Sequence, residues 1–503
     1  MPAAIGNRSR GVARSANGPM PSIRATSSAP AGLPLLCHPS TRRRIERFSA
    51  EKVNTMGRSR RRKKLPAEPV EANIESMSHD GKGVVHIEGK ATFLVGGLPG
   101  ERVRFLYTQQ RRKYDEGRVV EVLQASPERV EPRCAQFGIC GGCSLQHQAP
   151  AAQIQTKQQA LLDALEHLGK VEPETVLEPL LNETPWGYRR KARLGVRDVP
   201  KKGKVLIGFR ERGSSFIADI EQCHILHPRV GQLLPQLSQL IEGLSVKRQV
   251  PQIEMAMGDE TLVLIFRILE SLNEADRQAL AQFGAEHQIE IYIQEGGLDT
   301  IQPLSGIPAD LNYRLPDFDL SLDFLPIDFT QVNTGINRQM VSRVVEMLDP
   351  GANERVLDLF CGLGNFTLPL ARRAGEVVGV EGDAGLVTRG RANAKRNGID
   401  NVDYFTANLY EPLEQEPWLL QRFDKALLDP PRSGAQEVLE HLPKLGVERI
   451  VYVSCYPGTW RGMRASSAIS MAIGWFPRGS WICSPTPPMW SRSHSSKRDD
   501  RWD

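Results

Sequence analysis

The chain has 503 residues, enough for two to four domains with separate cores. No apolar run reaches the ~18 residues a membrane-crossing helix needs, which excludes that class of protein. The net charge of +5 suggests an acidic partner, but it is unevenly spread: residues 1–65 carry +13, residues 456–503 carry +4, and the body between them −12.

Residues 1–55 are rich in Arg, Ser, Ala, Pro and Gly without periodicity, a composition of disorder. A transit peptide is one reading of this segment. A spurious extension is preferred, with translation starting at Met56 and the run Arg58 to Lys64 forming a basic arm suited to phosphate contact. Eight cysteines stand at 37, 134, 140, 143, 223, 361, 455 and 483. Residues 1–30 contain no apolar signal-peptide core, so a reducing cytoplasm is expected rather than a disulfide framework.

The segment 56–125 reads as five short strands from Ile74 to Leu123, punctuated by Asp80-Gly81-Lys82-Gly83 and Gly96-Gly97-Leu98-Pro99-Gly100. A small OB-like β-barrel is expected. Within the central domain, 126–325, come Cys134, Cys140 and Cys143, with Cys223 eighty residues on. Three cysteines in ten residues plus a distant fourth form a candidate four-thiolate metal site; spacing leaves Zn²⁺ and an iron–sulfur cluster open. Gly141 and Gly142 let the backbone wrap a large group, which favours a cluster. Residues 150–170 predict one amphipathic helix with Ile154, Leu161, Leu162, Leu165 and Leu168 on its apolar face. The run from Trp186 to Arg193 interleaves four cations with aromatics, which suits RNA; a solvated strand face is the alternative.

The segment 326–459 predicts an α/β, Rossmann-like unit. After a helix from Asn337 to Leu348, the strand Arg355–Phe360 runs into Cys361-Gly362-Leu363-Gly364-Asn365-Phe366. Glycines at a strand–helix turn admit a cofactor against the backbone. The next strand ends at Glu381, an acid placed for ribose hydroxyls, and the absence of a third phosphate-binding Gly favours S-adenosylmethionine over NAD. A third strand ends near Asn408, and a fourth ends at Asp429-Pro430-Pro431-Arg432. The fifth, Ile450 to Ser454, delivers Cys455 to its carboxyl tip, where ligands of open α/β sheets bind. A small buried hydrophobe is the plain alternative for that thiol.

A strand ending in Asp-Pro-Pro-Arg followed by one ending in Val-Ser-Cys resembles the RNA uracil-C5 methyltransferases. Gln331-Val332-Asn333 and Asp358 to Phe366 match the same family. With an N-terminal TRAM-like barrel and four cysteines, the chain resembles the bacterial 23S rRNA branch that carries a [4Fe-4S] cluster, from about Met56 to Thr459. The resemblance implies S-adenosylmethionine-dependent methylation of C5 of one uridine in 23S rRNA, such as uracil 1939. It implies Cys455 as the nucleophile that adds to uracil C6. Gln331, Phe360, Asn365, Glu381, Asn408 and Asp429 match its cofactor-binding positions, and Cys134, Cys140, Cys143 and Cys223 its cluster ligands. The partner is then single-stranded RNA or a flipped uridine, with no membrane and a monomeric protein.

The chain departs from the family after Thr459. Its members end with the pattern M-D-M-F-P-x-T-x-H-V-E-x-I-A-L, whose Glu is the general base that removes the C5 proton. Suitable codons for that pattern, read one base later, translate to Trp481 through His494 as they stand, fourteen residues in succession. Residues 460–503 are therefore expected to be a frameshifted tail. Loss of the base and of the last two sheet strands should impair the chain, the folding defect more than the chemistry. Two rivals are an adenine amino-methyltransferase, which would have no use for Cys455, and a non-catalytic, metal-bearing RNA-binding protein.

Overall fold

A computed structural model describes residues 65–454, except Val171, Glu183, Glu414 and Gln415, together with Tyr456 and the short segments 469–470, 472–474 and 481–483. The expectations for residues 1–55 and for the basic arm lie outside the described residues.

The first sheet has six strands rather than five: Val70–Asn73, Ser76–Met77, Gly83–Ile87, Lys90–Val95, Arg102–Gln110 and Asp115–Gln124. Pairing is antiparallel except between Lys90–Val95 and Asp115–Gln124. The strand missed in the sequence, Val70–Asn73, alternates half-buried and exposed positions without strongly apolar bulk. Ile74, Val85, Leu94, Val103 and Phe105 make this sheet's own core. Glu101, fully buried, accepts Leu98 N–H at 2.8 Å and both arms of Arg129, at 2.5 and 2.7 Å, tying the sheet to the segment that follows.

The second sheet runs in the order 301–303, 290–294, 262–267, 252–257, 191–199, 204–208. Before it, the predicted single helix is an α-helix, Pro150–Ala164, followed by a π-turn, Leu165–Gly169. The wider turn rotates Leu168 off the apolar face, leaving it 46% exposed, whereas Leu161 and Leu165 are buried as expected.

The third sheet is parallel. Its strands are β1 (Arg355–Leu359), β2 (Glu376–Glu381), β3 (Val402–Thr406), β4 (Lys425–Leu428) and β5 (Arg449–Tyr452), ordered β3-β2-β1-β4-β5. Near-continuous Val, Leu and Ile runs are what strands buried on both faces require. Helix α1 (Thr334–Leu348) packs Met340, Val341, Val344 and Val345 into the core, and Asn333 caps its start by accepting Ile336 N–H at 3.2 Å. Helix α2 (Thr367–Ala371) follows β1, and α3 (Ala384–Arg396) follows β2 with Asp383 as its cap, accepting Leu386 N–H at 2.9 Å.

The tail corrects one expectation. The β5 edge is not bare: Ile469–Ser470 pairs parallel with Ile450 and Val451, and Ala472–Gly474 pairs antiparallel with Trp481–Cys483. An open sheet edge is a row of unpaired N–H and C=O groups, and a short extended segment satisfies them whatever its origin.

Candidate functional site

The cleft is built at the carboxyl ends of β1, β2 and β4. Phe360, directly after β1, sits at φ 64, an unusual conformation for a bulky residue. Both Phe360 N–H (2.9 Å) and Cys361 N–H (3.1 Å) donate to Val380 carbonyl, so the chain is forced to turn sharply beside β2. Gly362 (φ 58) and Gly364 (φ 101) complete the turn. A Cβ on Gly364 would meet Tyr404 Oη at 2.9 Å, whereas one on Gly362 would meet nothing within 4 Å. The loop is thus close-packed on its inner side and open on its outer side.

Glu381 is held by two backbone amides: Gly362 N–H donates to Oε2 at 3.1 Å and Asp383 N–H to Oε1 at 3.1 Å. Its carboxylate therefore has a set position over the glycine turn. Asn365 is fixed inward. Its Oδ1 accepts from Tyr313 Oη (2.9 Å) and Asn337 Nδ2 (2.9 Å), and its Nδ2 donates to Asn337 Oδ1 (3.1 Å). What it offers a cofactor is its remaining N–H and its backbone. Asn408 similarly closes its own turn, donating to Glu411 at 2.7 Å and accepting Tyr410 N–H at 3.2 Å. Tyr410 in turn packs against the Phe360 ring, with centroids 5.8 Å apart, and its hydroxyl lies 2.8 Å from Ser433 Oγ. Gln331 is half-buried two residues before the α1 cap.

Three carboxylates converge here. Burial pushes Asp358 up to about 8, with Asp429 and Glu381 adding to the shift and the Thr367 hydrogen bond at 2.6 Å opposing it. Burial alone raises Asp429 to about 7. Asp429 is anchored by its N–H to Leu359 carbonyl at 3.3 Å, one residue beyond the end of β4. The cleft is suited to an organic cation that would compensate these acids.

Cys455 lies outside the described residues. Its flanks do not. Leu428 and Tyr452 are in register, Val453 N–H donates to Leu428 carbonyl at 2.8 Å, and Tyr456 N–H donates to Ser454 Oγ at 3.2 Å. The segment bearing Cys455 therefore follows the strand next to the Asp429 tip. Tyr456 meets His79 of the first sheet edge-on, with centroids 5.2 Å apart.

The four cysteines Cys134, Cys140, Cys143 and Cys223 line one small cavity with Phe137, Phe209 and His224. All four are free thiols, and burial raises Cys140 to about 11 and Cys223 above the usual thiol range. Four sulfurs on one Zn²⁺ at about 2.3 Å would stand roughly 3.8 Å apart. Among the described residues no three His, Cys, Asp or Glu are close enough to hold a single ion.

The cations of the Trp186–Arg193 run have partners within the protein. Arg190 pairs with Asp259 at 3.2 Å and also donates to Gly258 carbonyl; Lys191 donates to Pro326 carbonyl at 3.2 Å and to Asp328 carbonyl. Arg193 pairs with Glu254 at 2.9 Å, and Arg189 lies 5.8 Å from the Phe209 ring centre. These cations join the strand to its neighbours, because a half-buried strand cannot leave charges unpaired. Sequence reading also missed Tyr313 and Asn337 as the holders of Asn365. Tyr313 comes from a hairpin, Asn312–Leu315 with Leu320–Asp323, that precedes the parallel sheet, and no local signal connects it to the glycine turn.

Comparison with known proteins agrees with this geometry. A family model described as tRNA (uracil-5-)-methyltransferase matches residues 310–464. The chain is 53% identical over 404 residues to the 23S rRNA (uracil(1939)-C(5))-methyltransferase RlmD of Stenotrophomonas maltophilia, spanning 80% of this chain and 91% of that protein. It is 53% identical over 401 residues to the protein of the same name from Alkalilimnicola ehrlichii, spanning 80% and 90%. Among solved structures, the Pyrococcus abyssi tRNA (uracil-54, C5)-methyltransferase in complex with S-adenosyl-L-homocysteine superposes with a TM-score of 0.62. It is 22% identical and covers 82% of this chain and 98% of that one, a likeness of fold.

Proposed function

Because the chain belongs to the RNA uracil-C5 methyltransferase family, we propose that its site is built to methylate C5 of a uridine in 23S rRNA, as the names of its relatives state for them. The observation that carries this reading is the β4–β5 register. It sets the Asp429-Pro430-Pro431-Arg432 tip beside the segment that bears Cys455, next to the open Gly362 turn.

In this reading Glu381, Asp429, Gln331, Phe360, Asn365 and Asn408 form the cofactor cleft. S-adenosylmethionine supplies an electrophilic methyl group. The Cys455 thiolate adds to uracil C6, which makes C5 nucleophilic; after transfer the C5 proton leaves and the thiolate is eliminated. The target base is unpaired or flipped to reach a thiol at a strand tip. The protein acts as a cytoplasmic monomer whose first sheet is a TRAM-like barrel. The fold's domains run 56–125, 126–325 and 326–459, with Met56 as the start. The general-base Glu is lost to a frameshift near Thr459–Trp460, which is supported by the family match ending at residue 464. Replacing Glu381 with Ala should weaken S-adenosylhomocysteine binding by about tenfold or more, measured by calorimetry, since a charge-assisted hydrogen bond is worth about 1.5–3 kcal/mol. Unchanged affinity would remove Glu381 from the cleft.

Cys134, Cys140, Cys143 and Cys223 hold a [4Fe-4S] cluster with a structural or RNA-docking role. Anaerobically purified protein should contain about four iron and four sulfide per chain. Cys140→Ser should lose most of both. Stoichiometric zinc without iron is the contrary result.

A further inference from the structure

A cavity of about 320 Å³ lies beside the cysteine cavity, sharing Gln146 and Ile225 with it. It is separate from the glycine turn but reaches it indirectly: its wall includes Asn333, the α1 cap, two residues after Gln331. Its volume falls in the range of small-molecule sites. Most of the wall is apolar, from Leu180, Leu181, Ile154 and Ile336 among others.

Its polar groups are of a particular kind. Trp186 and Tyr188 present aromatic surface, and the Arg133 guanidinium stands 5.3 Å from the Trp186 ring centre. Gln148 also lines the cavity and is 1% exposed. Its Nε2 donates to Glu128 at 3.0 Å and Thr156 at 2.8 Å, but its Oε1 is buried with no partner among the described residues. A buried acceptor left without a donor costs stability, so its retention points to a ligand that supplies an N–H. Flat aromatic walls, a cation at the rim and an amide acceptor inside are the features that receive an unstacked nucleobase.

We propose that this cavity takes a second, non-target base of the RNA: an unpaired purine that stacks on Trp186 and donates its exocyclic amino group to Gln148 Oε1, with Arg133 near its phosphate. The inference rests on the RNA-substrate reading above. Uracil has no exocyclic amino group and leaves more of the cavity empty. The RNA is thereby held at two points on either side of the Gln331–Asn333 segment, one base at the strand tips and one against the cysteine domain.

The test uses the full chain and a 23S rRNA fragment containing the target uridine, with 2-aminopurine placed singly at each unpaired purine. One position should lose fluorescence on binding, and Trp186→Leu should abolish that loss and weaken RNA binding by about tenfold or more. An abasic nucleotide at the same position should weaken wild-type binding similarly and cause no further loss in the variant. S-adenosylhomocysteine affinity should be unchanged, which verifies folding. Arg133→Ala, at an exposed site, should weaken binding several-fold and lower the salt slope by about one. Trp186→Leu protein that keeps its cofactor affinity and binds the fragment as tightly as wild type overturns the proposal alone. A wild-type chain that binds no 23S fragment overturns the substrate reading with it.

Discussion

Restoring the proposed reading frame after Thr459 is expected to raise release of free methylated 23S rRNA from undetectable to readily measurable. In the proposed mechanism, once C5 is methylated, the adduct on Cys455 cannot collapse until the C5 proton is removed. A positioned general base is worth about 10²–10⁴-fold, and under the proposed frameshift Trp490-Ser491 stand where the restored frame would encode the glutamate. The frame-restored tail would also replace the two-residue pairing of Ile469–Ser470 with full strands on the β5 edge. Tritium from S-adenosylmethionine recovered in protein-free rRNA over many turnovers, measured for both proteins at equal concentration, checks this. A further consequence separates chemistry from folding. If the given chain folds and binds RNA, it should accumulate a covalent RNA adduct through Cys455, visible as a denaturation-resistant band that Cys455→Ala abolishes. Equal activity of the two proteins would mean that the tail from residue 460 is native and that the base lies elsewhere.

The second large effect concerns Asp358. It is fully buried on β1, with Oδ2 accepting the Thr367 hydroxyl and Oδ1 without a partner among the described residues. Burial holds its carboxyl at about 8, against an ordinary value near 3.8. A group whose folded value is raised keeps its proton in the native state while the unfolded chain loses it. Stability is therefore full below about pH 4, falls as pH rises from about 4 to about 8, and changes little beyond. At roughly 1.4 kcal/mol per unit the total is of order 5 kcal/mol, a large share of the ~5–15 kcal/mol that holds a domain together. Asp429, raised to about 7, acts in the same direction. Asp358→Asn keeps an acceptor for Thr367 without the buried charge, so its denaturation free energy should be nearly flat over the window in which the wild type declines. Urea titrations at half-unit pH steps measure both curves; parallel curves would show that Asp358 ionises freely in the fold. Because a bound cation compensates the same acids, S-adenosylmethionine should bind more tightly as pH rises from 6 to 8 and should release protons on binding.

Much of the catalytic unit is legible in the residues. A parallel strand buried on both faces must be continuously apolar, so β1, β2, β4 and β5 stand out as Val, Leu and Ile runs. The turns that end them must carry Gly, Pro or a polar tip, and that places Gly362, Glu381 and Asp429 at one end of one sheet. Half-exposed elements are less legible. Val70–Asn73 alternates but carries little apolar bulk, and Leu168 fits a helical face that the π-turn then rotates away. The tail also gains strands that its composition does not announce, since an open edge accepts any extended segment.

The sequence by itself determined the family and pointed to the cofactor class, the candidate nucleophile and the departure from the family pattern after Thr459, because these are carried by short motifs, which are local in the chain. Only the tertiary structure decided which side chains are already committed. Asn365 is held by Tyr313 and Asn337, the cations of 189–193 are engaged by neighbouring elements, and Trp186 with Arg133 and Gln148 is left to line a cavity beside the cysteines. Each of those partnerships joins residues from different elements, most of them far apart in the chain. Hydrogen-bond competition of that kind is settled by what packing brings within about 3 Å, and a linear pattern carries no record of it.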